Sequence, residues 1–90
     1  MLKCAKLKIF GRVQGVFFRD FTEEKAAEFV IVGWVKNMPD GTVEAIIQGE
    51  EDNINKMIAC CHEGPSSAQV EEIKVEWMES SLCDSFEVRY

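Results

Sequence analysis

Apolar residues in this chain recur first with a period of two and then along a helical stripe. Two further alternating stretches, a second stripe and more alternation follow. That succession constrains the fold more than any other feature, because alternation suits a half-buried strand and an i, i+3/i+4 stripe suits an amphipathic helix. Ala5-Lys6-Leu7-Lys8-Ile9-Phe10 reads as the first strand. Asp20-Phe21-Thr22-Glu23 offers a helix start, with Thr22, Ala26 and Val30 on one face of about three turns. Ile31 to Asn37 and Thr42 to Gln48 flank Pro39-Asp40-Gly41, so residues 31–48 read as a hairpin. Ile54, Met57, Ile58 and Cys61 mark a second helix that Gly64-Pro65 ends. Val70 to Met78 gives a fourth strand, and Phe86, Val88 and Tyr90 a short fifth.

The order βαββαβ plus a short C-terminal strand predicts an α+β fold of the ferredoxin-like sandwich type. In that plan an antiparallel sheet carries both helices on one face. Ninety residues suit a single domain spanning 1–90. The first two strands then run parallel on either side of the third, and their C-terminal ends share one sheet edge. Whatever leaves strand one and whatever ends strand two are expected to meet there.

Strand one leads into Gly11-Arg12-Val13-Gln14-Gly15-Val16-Phe17-Phe18-Arg19. Two glycines four apart permit a tight loop with inward amides, and Arg19 stands at its exit. Converging N–H groups and a guanidinium fork match the oxygens of a phosphate. Strand two ends in Gly33-Trp34-Val35-Lys36-Asn37, which brings an asparagine amide to the same edge. Phe17 and Phe18 are expected to anchor the loop to the core.

Residues 1–19 hold five Lys/Arg and no acid, whereas residues 20–90 hold the other five and all sixteen acids. An acidic body with net charge −6 disfavours nucleic acid and anionic membranes. The basic segment includes the loop, which points to a small anion. Strand three has no aromatic residue, unlike RNA-recognition modules of similar topology. The longest apolar run, Phe29 to Val32, is too short to span a bilayer. Met1-Leu2-Lys3-Cys4 leads directly into a charged strand, so a signal peptide is not expected and a cytoplasmic location is. Cys4, Cys60, Cys61 and Cys83 lack metal or redox spacing and read as thiols, with a Cys4–Cys83 bridge as the alternative. With one histidine, no metal site is expected. Cys83-Asp84-Ser85-Phe86-Glu87-Val88-Arg89 has the C-x5-R spacing of cysteine-dependent phosphatases. It alternates like a strand and lacks the small-residue loop that such chemistry needs.

The loop, Gly33-Trp34-Val35-Lys36-Asn37, Gly41-Thr42-Val43, Gln48-Gly49 and Gly64-Pro65 together resemble the small acylphosphatases of common or muscle type. The resemblance covers nearly the whole chain. It implies hydrolysis of acyl phosphates to carboxylate and inorganic phosphate by a monomer, without metal or cofactor. It also implies that the Gln14, Gly15, Val16, Phe17, Phe18 and Arg19 stretch holds the phosphate and that Asn37 orients the attacking water. Where the family commonly carries a Gly before the apolar pair entering strand two, this chain reads Phe29-Val30-Ile31-Val32-Gly33, and Asp20 stands beside the phosphate arginine. A non-catalytic phosphate-binding module on the same fold is the alternative.

Overall fold

A computed structural model describes residues 2–80 and 83–90. Its elements are β1 (Leu2–Arg12), α1 (Phe18–Glu28), β2 (Val32–Asn37), β3 (Val43–Glu50), α2 (Glu51–Glu63), β4 (Gln69–Met78) and β5 (Phe86–Arg89). The sheet order is β4-β1-β3-β2-β5. β1 pairs antiparallel with β3 and β4, and β2 pairs antiparallel with β3. β1 and β2 are therefore parallel and flank β3, as the order of elements predicts. β5 joins β2 in parallel, which makes the sheet mixed.

Alternation decides which face of each strand is covered. Ala5, Leu7 and Ile9 of β1, Val35 of β2 and Val43, Ala45 and Ile47 of β3 form one core cluster with Phe18 and Ala26 of α1 and Ile54, Met57 and Cys61 of α2. On the other face Lys6 pairs with Glu44 at 3.3 Å, and Lys8 with Asp40 at 3.2 Å. No helix among the described residues is long and apolar enough to cross a membrane. Cys4 and Cys83 form no disulfide with one another, which removes the Cys4–Cys83 bridge.

The buried stripe of α1 is Phe18, Thr22 and Ala26, one turn earlier than the sequence suggests. Thr22 remains on it because its hydroxyl donates to the Phe18 carbonyl at 2.8 Å, so no polar group is buried unpaired. Val30 lies beyond the helix and is exposed. Its φ of 54° places a β-branched residue in left-handed backbone. The chain closes a Schellman motif around it: Ile31 N–H donates to the Ala26 carbonyl at 2.8 Å and Val30 N–H to that of Ala27 at 3.5 Å. α2 stops at Gly64, with φ 67° and ψ −174°, a conformation nearly confined to glycine. A Cβ at Gly64 would also stand 2.9 Å from the Phe18 ring. Full burial of that ring stabilises the fold by about 2–3 kcal/mol and fixes where α1 begins.

Candidate active site

The loop between β1 and α1 is held by buried apolar residues and bent by exposed ones. Val13 and Val16 are buried, whereas Gly15 is exposed with φ 73°. The backbone turns left-handed again at Phe17, φ 65° and ψ 24°, and α1 starts at Phe18 instead of Asp20. This turn drives the two adjacent phenylalanines apart. Phe18 is 1% exposed and anchors the loop; Phe17 is 74% exposed and does not. No side chain caps the start of α1, which leaves amides of its first turn for another acceptor. The N-terminal end of a helix favours an anion in that place.

Gln14 turns away from this opening. Its Nε2 donates to the Met38 carbonyl at 2.8 Å and to the Thr42 carbonyl at 2.9 Å, tying the loop to the turn that follows Asn37. Asp40 stiffens that turn by accepting from the Thr42 hydroxyl at 2.6 Å and from the Thr42 N–H at 3.0 Å. Those bonds, the hydroxyl first, together with Lys8 hold its carboxyl well below the usual range, at about 2.

Arg19 and Asn37 line one cavity of about 300 Å³, with Gly15, Phe17, Asp20 and Tyr90 also on its walls. Phe18 contributes to the lining as well, but Gln14 and Val16 do not. Of the five cations in residues 1–19, only Arg19 reaches the cavity. Lys6 and Lys8 are committed to the far face of the sheet, so the basic character of the segment does not converge on the loop.

Arg19 is itself positioned by β5. Its Nη1 donates to the Arg89 carbonyl at 3.2 Å, and its Cζ lies 4.4 Å from the centre of the Tyr90 ring. Nothing in the sequence marks Tyr90, or the Arg89 carbonyl that holds Arg19, as part of the site. The alternation of Phe86, Val88 and Tyr90 marks a strand without naming its partner, and the parallel register of Val35 with Val88 is what carries residue 90 to the cavity.

The remaining chemistry-bearing residues lie elsewhere. Arg89 covers the Trp34 ring at 4.9 Å and pairs with Glu87 at 3.3 Å. Most of the C-x5-R span is strand β5, not a loop entering a helix. Burial, and secondarily its neighbour Cys60, push the Cys61 thiol up to about 12, which keeps it protonated in the core. Among the described residues no group of three or more His, Cys, Asp and Glu side chains gathers as a metal site would require.

The family model described as Acylphosphatase matches residues 5–88. The chain is 45% identical to an acylphosphatase of Nitrosococcus oceani over 99% of its own length and 100% of the relative's. The structure of an acylphosphatase from Coxiella burnetii superimposes with a TM-score of 0.94 at 38% identity, covering 98% of this chain and 93% of that one. Full-length HypF, solved in a phosphate- and nucleotide-bound form, matches with a TM-score of 0.93 at 31% identity; the match covers all of this chain and 12% of HypF. On sequence and fold together, this chain belongs to the acylphosphatase family.

Proposed function

We propose that this chain hydrolyses acyl phosphates to a carboxylate and inorganic phosphate, without metal or cofactor, as a cytoplasmic monomer. The observation that carries the reading is the meeting of Arg19 and Asn37 on one cavity beside an uncapped helix start.

An acyl phosphate is a mixed anhydride whose leaving group is a carboxylate, the conjugate base of an acid with pKa about 4. It departs unprotonated, so the site needs no general acid. The phosphoryl group transfers through a transition state with charge on its equatorial oxygens, and catalysis is mostly positioning and charge stabilisation. In this reading the amides of the Gln14–Arg19 stretch and the Arg19 guanidinium hold those oxygens. The Asn37 side chain accepts from and donates to the attacking water. The water oxygen bonds to phosphorus, the bond from phosphorus to the acyl oxygen breaks, and a phosphate oxygen takes the water's proton. Stacking on Tyr90 and donation to the Arg89 carbonyl support the role given to Arg19, because they limit its rotamers before substrate arrives.

A second reading, a phosphate-binding module without turnover, has one observation in its favour. Asp20 lines the same cavity, and its carboxylate opposes a bound anion. Hydrolysis of benzoyl phosphate, followed by absorbance with EDTA present and inorganic phosphate titrated in, separates the two. Metal-independent turnover inhibited competitively by phosphate is expected. Phosphate binding by folded protein without turnover of any acyl phosphate would establish the second reading in its place.

A further inference from the structure

Phe17 and Tyr90 are the two most exposed aromatic residues among the described residues, at 74% and 90%, and both line the same cavity. Tyr90 has a partner for its ring in Arg19. Phe17 is held outward by left-handed backbone, a conformation that costs a non-glycine residue roughly 1–2 kcal/mol. Its neighbour Phe18 does the anchoring, so the exposure of Phe17 serves no packing need of the fold. The cavity has room for more than a phosphoryl group. About 300 Å³ corresponds to roughly ten waters at ~30 Å³ each, and five heavy atoms of phosphate fill well under half of it.

We infer that the Phe17 side chain is the wall for the acyl end of the substrate and selects acyl phosphates with a flat aromatic or extended apolar acyl group over short ones. The inference rests on the acyl-phosphate reading above and adds the substrate class. The geometry divides the site by chemistry: the helix start and Arg19 take the charged end, and an exposed aromatic residue two positions earlier offers apolar surface to what is attached to it. Contact of an aryl acyl group with the Phe17 ring removes apolar area of both from water, whereas an acetyl group has little area to bury.

The test is the ratio of kcat/KM for benzoyl phosphate to that for acetyl phosphate, in the wild type, in Phe17→Asn and in Phe17→Leu. Asparagine tolerates left-handed backbone, so Phe17→Asn removes the ring while preserving the turn. Leucine keeps apolar area without a flat face. The ratio is expected to fall about tenfold in Phe17→Asn, mainly through a raised KM for benzoyl phosphate, and to fall by a smaller factor in Phe17→Leu. Phenylphosphonate is expected to lose its advantage over inorganic phosphate as an inhibitor of Phe17→Asn. An equal loss on both substrates, or an unchanged ratio, would overturn the assignment and leave the acyl-phosphate reading intact. A wild type that turns over neither substrate would remove that reading and this one with it.

Discussion

The two ends of α1 make the same unusual backbone choice in different surroundings. Phe17 before the helix and Val30 after it both have positive φ without being glycine, and both are largely exposed. At the first end the strained residue shares a cavity with Arg19, Asn37 and Tyr90. At the second, about 20 Å along the helix, Val30 closes a helix terminus that glycine serves at α2. Strain therefore points to function only where polar groups converge on it. At Val30 it is a local cost that the rest of the core outweighs.

Substitutions at the two ends should separate into those that change turnover and those that change stability. The largest effect is expected from Arg19→Ala, which removes the charge-assisted contacts to phosphate: kcat/KM should fall about 10³-fold or more, with phosphate inhibition lost. Its melting temperature should move by only a few degrees, since an exposed cation–π contact is worth ~0.5–1 kcal/mol. Asn37→Ala comes next, with kcat down about 10²-fold through a misplaced water and competitive inhibition by phosphate kept. Near-normal kcat in that variant would exclude the water-positioning role.

At the opposite end Val30→Gly should stabilise the protein. Relief of roughly 1–2 kcal/mol of left-handed strain exceeds the ~0.5–1 kcal/mol entropic cost of glycine. The net gain, about 0.5–1 kcal/mol, should appear as a melting temperature higher by roughly 4 °C, with kcat unchanged. A change in kcat would mean that the two ends are coupled and would break the comparison. The smallest effect belongs to Asp40 in the turn after Asn37. Its folded pKa of about 2 lies below the ordinary ~3.9, so its contribution is present above about pH 4 and is lost as pH falls toward 2. Asp40→Asn should slightly lower stability at neutral pH and flatten the stability profile between about pH 4 and 2, as read by urea melts.

The strand and helix order could be read from the chain because each apolar period is long enough to show its type and several boundaries, at Gly15, Pro39 to Gly41 and Gly64-Pro65, carry Gly or Pro. The meeting of Arg19 and Asn37 could be read as well, since it depends only on β1 and β2 running in the same direction on either side of β3. What escaped depends on single backbone angles or on long-range register. Phe17 and Phe18 are identical in composition, and only the left-handed turn at the first sends one outward and the other into the core. The Gln14 side chain serves two carbonyls of a turn twenty-four and twenty-eight residues away, a bond that no spacing in the sequence announces. Val30 matched a helical stripe by spacing, yet the helix ends before it. Tyr90 needed the partner of a four-residue strand.

That four-residue strand has a consequence for how activity is lost. β5 sits at one edge of the sheet, paired on one side only, and it holds Arg19 through the Arg89 carbonyl and, just past its end, the Tyr90 ring. Edge elements of this length open at a fraction of the free energy that unfolds a domain, so their amides exchange with solvent long before those of β1 or β3. Each such opening releases the guanidinium while the core stays intact. Thermal inactivation should accordingly begin below the cooperative melt and reverse fully on cooling. The working range of this chain would then be set by its shortest strand, not by its core.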